Sequence, residues 1–298
     1  MIFRRPKRTV CPCGLKGEVV LNPPRDAAMA LARAVKPAAR HYHHAAYWRH
    51  LYDDNPFRVD PWGVAYMVDG VAEAMVTAVG VPTTKGPGAL LAAWMRLPEC
   101  HSALAGGLVM QPYLGRQDLQ LLAYDPSEEG RAFYERAGWA RFDAREWSGR
   151  PIADSRPAIF PIDPSSWAAV RQSGAYMICR TPEYLRWRGA FPPGAYVNRR
   201  ETDINIWAAG GRIGDIGFEN PQTEMDSDRL RRAIARYANG IGATQIALET
   251  NHPTVERAAW ALCLKPGRIV PLYWRGADPK GTCYRSLADA DFGVRQWW

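Results

Sequence analysis

The sequence predicts an α/β protein of two similar halves, each with helices packed on a sheet. Three observations lead there. Residues 119–142 read as strand, sharp turn, helix, glycine stop, strand. Leu119, Leu121 and Leu122 suit a buried strand. Asp125 is placed to cap a helix whose first residue is Pro126. Glu128 and Glu129 put negative charge in its first turn, and Gly138 can end it in the left-handed conformation. The second observation is a repeat. About 126 residues later, 245–273 gives a strand at Ile246 and Leu248, start signals at Asn251 and Pro253, and a helical stripe of Val255, Ala258, Ala259 and Leu262. Pro266-Gly267 are expected to stop that helix before an apolar strand, Ile269–Trp274. The third is length, because 298 residues are ample for two ordinary domains.

Taken in order, residues 1–24 form a basic, aperiodic arm. Residues 1–40 carry nine Lys or Arg against Glu18 and Asp26, so nearly all of the net charge of +8 lies there. Such an arm suits nucleic acid, an anionic surface or an acidic partner, or simply a solvated terminus. Cys11 and Cys13 are the only close cysteine pair, with no second pair to complete a zinc site, so no metal is expected. The scattered cysteines fit a reducing compartment. No apolar run approaches the roughly 20 residues of a membrane span and no secretory signal opens the chain, which points to the cytoplasm.

Residues 25–147 make the first half. An Ala-rich helix runs to a break at Pro37, then Tyr42–Tyr52 continues in helical character. Asp69-Gly70 is a hairpin turn between strands at Trp62–Val68 and Ala72–Val81. Thr83–Ala89 reads as a glycine-bearing loop leading into a helix through Leu97. Pro98–Asp118 follows and contains Gly106–Arg116, after which Gln117–Gln120 leave no room for a helix before the next strand. A Pro-rich linker at 148–173 is the expected boundary, and 174–298 the second half. There Ala209-Gly210-Gly211 joins two strands. Ser227–Asn239 is the clearest helix, with Leu230, Ala233, Ile234 and Tyr237 inward and Asp226 or Ser227 as cap. Trp297 and Trp298 close the chain as candidates for packing on a sheet or a partner.

The run Ala132–Trp139 resembles the last-helix motif of the GNAT-type N-acetyltransferase superfamily, with Tyr134 followed by Gly138 and Trp139. Tyr47–Pro56 and Thr181–Arg188 are similar to segments of tandem GNAT-like proteins, and the resemblance covers about 250 residues. It implies an α/β fold of two tandem GNAT-like halves, each a mixed, mostly antiparallel sheet with packed helices, acetyl-CoA or another acyl-CoA as co-substrate, and a small-molecule or peptide amine as acceptor. Tyr134, near the acyl-CoA sulfur in that superfamily, becomes the candidate proton donor. The second half holds Ala258 or Ala259 in its place and is expected to be silent.

Superfamily members hold the pyrophosphate on [QR]-x-x-G-x-[GA], between the fourth strand and the next helix, where backbone N–H groups gather. Two stretches compete for that role. Lys85, Gly86, Gly88 and Ala89 match the glycines and are preferred, although Pro87 removes one donor. Val109–Arg116 is the rival. Glu73, Asp125, Glu219 and Glu249 are carboxylates near strand ends, none specific as a general base. Two other readings stay open. Fem-type aminoacyltransferases share the architecture and take their acyl group from aminoacyl-tRNA, which the basic arm would suit. A non-catalytic binding protein could keep the fold alone.

Overall fold

A computed structural model of the chain describes residues 9–10, 16–152, 160–161, 178–179, 181–190, 197–201, 204–209, 211–218, 226–281 and 283. The basic arm, Cys11, Cys13, Glu219, most of the linker and the terminal tryptophans lie outside these residues. The chain forms two compact units. One joins the residues up to Val81 with Pro87–Ala123; the other joins Pro82–Gly86 with the residues from Tyr124 on.

The first unit runs β1 (Thr9–Val10), β2 (Lys16–Leu21), α1 (Arg25–Val35), a helical turn at Arg40–His43, α2 (Ala45–Trp48) continued by a π turn at Arg49–Asp53, β3 (Gly63–Val68), β4 (Val71–Thr83), β5 (Gly86–Arg96), α3 (Ala105–Leu114) and β6 (Gln120–Tyr124). Its strands lie in the order β1-β2-β3-β4-β5-β6. Pairing is antiparallel from β1 to β4 and parallel between β5 and β6. Asp69 (φ 49°) and Gly70 (φ 80°) make the β3–β4 turn, both left-handed as a two-residue hairpin demands. Buried Trp48, Leu51 and Tyr52 join Val64, Tyr66, Met75 and Val79 in the core.

One expectation fails here. Ala89–Leu97 is not a helix but most of β5, and the helix stands later, at α3. Alanine and leucine favour a helix in isolation, but Ala89, Leu90, Leu91, Ala93 and Met95 are buried in a strand with β4 and β6 on its two sides. In α3, Gly106 and Gly107 fall in the first turn, where their cost is small. Pro112 sits near the far end and withholds only one N–H from the ladder.

The second unit contains α4 (Glu128–Arg136), β7 (Ala140–Gly149), β8 (Phe160–Pro161), α5 (Pro182–Gly189), β9 (Val197–Glu201), β10 (Ile204–Ala209), β11 (Arg212–Phe218), α6 (Ser227–Gly240), β12 (Ile246–Thr250), α7 (Pro253–Ala261) and β13 (Lys265–Trp274). Its strand order is β13-β7-β12-β11-β10-β9-β8. The units do not divide in the Pro-rich stretch. β7 is paired antiparallel with β12 on one side and β13 on the other, which makes it part of the second unit.

The cap of α4 is Ser127, which accepts from the Gly130 N–H, rather than Asp125. Asp125 is left-handed (φ 41°) and binds Arg268 at 2.7 Å and Arg131 at 3.2 Å. Pro266-Gly267 do not end α7, which has already closed at Ala261; they fall at a register shift in β13. On α6 the inward stripe is as expected, with Leu230, Ala233, Ile234 and Tyr237 buried and Asp226 capping.

Candidate functional site

Lys85 and Gly86 sit at the tip of the β4–β5 hairpin. The Thr83 hydroxyl donates to Gly86 O at 2.7 Å and accepts from the Lys85 N–H at 3.2 Å. Gly88 and Ala89 follow inside β5, paired with Gln120 and Leu121 of β6. No helix begins here, so the gathering of backbone N–H groups that made this stretch a pyrophosphate candidate is absent. The rival stretch, Val109–Arg116, lies in the second half of α3 and just beyond it. It braces a loop instead: the Tyr113 hydroxyl donates to Pro61 O at 2.8 Å, and Arg116 reaches Asp60 O at 2.6 Å.

The segment that does join a strand of this sheet to the next helix is Leu97–Leu104. β4 anchors it at two points. The Leu97 N–H donates to Glu73 O at 2.8 Å. The buried Glu73 carboxylate accepts the His101 N–H at 2.9 Å and pairs with the His101 ring Nδ1. The segment then folds on itself, with Ser102 O accepting from the Ala105 N–H at 3.1 Å and Ser102 Oγ from the Leu104 N–H at 3.3 Å. Against the pattern [QR]-x-x-G-x-[GA], His101 takes the first place, Leu104 the glycine place and Gly106 the last. The Gly106 and Gly107 N–H groups open the helix and so lack intrahelical acceptors. A methyl group built on Gly107 would meet nothing within 4 Å, so its backbone is approachable. Trp94 ties this turn to β5, its indole N–H donating to Gly106 O at 3.2 Å. Burial, first, pushes the neighbouring Cys100 thiol up, which disfavours a reactive thiolate.

β5 itself carries an irregularity. Its parallel pairing with β6 covers Gly88–Leu91 against Gln120–Ala123 and ends there, while β5 continues to Arg96. Beyond that point Ala93 is left-handed (φ 49°), a conformation costing a non-glycine residue about 1–2 kcal/mol. Strain of this kind persists only where the surroundings impose it, and it concentrates at sites of function. Next to it, the Thr77 hydroxyl donates to Ala92 O at 2.8 Å and accepts from the Tyr52 hydroxyl at 2.8 Å.

In the second unit, Tyr134 is buried on α4. Its ring lies 4.7 Å from that of Trp139 and is stacked 5.5 Å from that of Tyr273. Burial holds its hydroxyl well above the usual phenol range, so it keeps its proton at neutral pH. Tyr273 donates to Glu135 at 2.6 Å, and burial with that bond pushes it up to about 12. Of the strand-end carboxylates, Glu249 is buried and accepts from the Tyr124 hydroxyl at 2.5 Å. Among the described residues no three His, Cys, Asp or Glu gather as metal ligands, and no helix is long and apolar enough to cross a membrane.

Sequence reasoning missed Leu97–Leu104 because it had put the helix too early. Pro98 followed by Gly106-Gly107 was the available signal. Ala93, Thr77 and the Glu73–His101 pair had none.

No family profile and no curated protein matches the chain. Solved structures do. A protein from Pyrococcus horikoshii described as an acetyltransferase aligns with a TM-score of 0.58 at 10% identity, covering 89% of this chain and 90% of its own. A GCN5-related N-acetyltransferase from Kribbella flavida gives 0.56 at 13%, covering 87% and 70%. The N-myristoyltransferase of Saccharomyces cerevisiae, solved with bound myristoyl-CoA, gives 0.57 at 10%, covering 93% and 86%. The chain has the GNAT fold over most of its length.

Proposed function

We propose that this protein is an acyl-CoA-dependent N-acyltransferase that moves an acetyl or similar acyl group to an amine. One observation carries the reading: a parallel strand pair whose pairing stops at Leu91 and Ala123, a left-handed Ala93 just beyond, and a loop that delivers the first turn of α3 from the same strand. Acyl transfer requires these provisions. A strand released from its neighbour offers backbone N–H groups to an acyl carbonyl, whose oxygen gains charge as the amine attacks. The first turn of α3 offers Gly106 and Gly107 N–H groups to a pyrophosphate. Formation of the C–N bond and loss of the C–S bond leaves a thiolate in need of a proton. Tyr134 is the proposed donor, on the resemblance of Ala132–Trp139 to the last-helix motif of the superfamily. Soluble amines or peptides are the proposed acceptors.

A second reading, a non-catalytic protein with this fold, is favoured by Leu104. This side chain is 68% exposed where the pattern has glycine. Titration calorimetry with acetyl-CoA and with CoA separates the two, and aminoacyl-tRNA is the third ligand. Micromolar binding of acetyl-CoA, followed by thiol release when a panel of amines is added, is expected. Absence of binding by either thioester or thiol at millimolar concentration overturns the proposal. Salt-sensitive binding of aminoacyl-tRNA alone would replace the donor.

A further inference from the structure

The irregularity in β5 is held by side chains whose order of donation is fixed. Tyr52, in the π turn, is buried, and it is the donor to Thr77 because the Thr77 proton is committed to Ala92 O, which can only accept. It donates to Thr77 Oγ1 at 2.8 Å, and the fully buried Thr77 hydroxyl in turn donates a hydrogen bond to Ala92 O at 2.8 Å. Tyr52 is itself fixed. The Arg25 guanidinium lies 5.0 Å above its ring and 3.6 Å above that of Trp62, and Arg25 pairs with Asp53 in the same turn.

Ala92 C=O and Ala93 N–H belong to one peptide unit. The chain's cis bond among the described residues is Asp60–Pro61, so the 92–93 unit is trans and its N–H points opposite to its C=O. Thr77 is on β4, the neighbour of β5 on one side; β6 is the neighbour on the other. A carbonyl turned to Thr77 therefore turns the Ala93 N–H towards the β6 side, past the end of the β5–β6 pairing at Leu91–Ala123. A hydrogen bond accepted by a C=O also polarises the N–H of the same peptide, since such chains strengthen one another.

We propose that Tyr52 and Thr77 are positioning residues that aim and polarise the Ala92–Ala93 peptide, making the Ala93 N–H the donor to the acyl carbonyl. This inference rests on the acyl-CoA reading above and goes beyond it in assigning two buried side chains, 25 residues apart, to the acyl end of the site. The alternative is that they are ordinary core hydrogen bonds.

The test uses the full chain with acetyl-CoA labelled with ¹³C at the carbonyl. Infrared difference spectra report the hydrogen bond to that carbonyl as a lowered stretching frequency, and calorimetry gives the affinities for acetyl-CoA and CoA. The wild type and Thr77→Ser are expected to lower the frequency equally. Thr77→Val and Tyr52→Phe are expected to lose part of the shift, and Thr77→Val to bind acetyl-CoA about threefold to tenfold more weakly with CoA affinity changed less than about twofold. A core role alone would weaken both ligands together or neither. Should Thr77→Val not fold, Tyr52→Phe, which removes one oxygen, decides alone. A wild-type shift retained in whichever of these variants folds overturns the inference while leaving the acyl-CoA reading intact. A wild type that binds neither ligand overturns both.

Discussion

The chain contains the same strand–helix–strand unit twice, and the two copies differ in what fills them. Gln120–Tyr124, Glu128–Arg136 and Ala140–Gly149 are 5, 9 and 10 residues long. Ile246–Thr250, Pro253–Ala261 and Lys265–Trp274 are 5, 9 and 10 as well. Each helix closes with its next-to-last turn bonded alike: Trp139 N–H to Tyr134 O, and Leu264 N–H to Ala259 O, both at 3.0 Å. Each closes through one left-handed residue, Gly138 (φ 71°) or Cys263 (φ 57°). The bonding assigns Ala259 as the counterpart of Tyr134. The final strands, β7 and β13, pair antiparallel with each other. Backbone geometry therefore constrains both copies equally and side-chain chemistry does not. In the second copy, Val255, Ala258, Ala259, Leu262 and Leu264 join Leu230, Ile234 and Tyr237 of α6 in one apolar core. In the first, the same helical position carries a phenol.

Exchange of the differing residues should break the comparison most visibly. We expect Tyr134→Phe to lower turnover roughly 100-fold or more if its hydroxyl delivers a proton, with stability changed by about 1 kcal/mol or less. Unaltered turnover would remove it from the chemistry. Tyr134→Ala, which empties a packed site, should cost about 3–5 kcal/mol in urea unfolding. Ala259→Tyr overfills the equivalent place and should cost about 1–3 kcal/mol.

The helix ends give a smaller, mirrored pair. A methyl group on Gly138 would meet nothing within 4 Å, so Gly138→Ala tests backbone strain alone and should destabilise by about 1–2 kcal/mol. Cys263→Gly relieves the same strain and should be neutral or stabilising by up to about 1 kcal/mol. Opposite signs in thermal melting would show that the two closures are equivalent.

The caps differ in their response to acid. Ser127 caps α4, whereas α7 is capped by His252, whose ring accepts from the Thr254 N–H at 3.2 Å. Burial, then Arg257, lowers His252 from its ordinary 6.5, so the fold favours the neutral ring that can accept. Below about pH 6.5 the unfolded chain takes up the proton first, and this contribution to stability is lost as the pH falls further. His252→Ser should flatten the melting profile between about pH 7 and 5, an effect of about 1 kcal/mol or less.

What could be read from the sequence was what local chemistry decides. Asp69-Gly70 admits few conformations other than a hairpin turn, and the α6 stripe repeats with helical period through several turns. The paired units showed themselves because apolar spacing and a stop residue recur. What escaped was decided by distant partners. Ala89–Met95 has helical composition and is a strand because neighbouring strands flank it. Reading that stretch as a helix is what makes Lys85–Ala89 a pyrophosphate candidate in the sequence. An alanine at left-handed φ has no mark in a sequence, and the side chains bonded to the carbonyl before it, a threonine and through it a tyrosine, lie on other elements. Asp125 was mistaken for a cap because its arginine partner lies at 268.

Hydrogen–deuterium exchange with and without acetyl-CoA tests the central claim most directly. The account predicts slowed exchange over residues 92–107, at the end of β5 and the start of α3, with β12 and α7 unchanged. Protection confined to β12 and α7, or none anywhere at saturating acetyl-CoA, would contradict it.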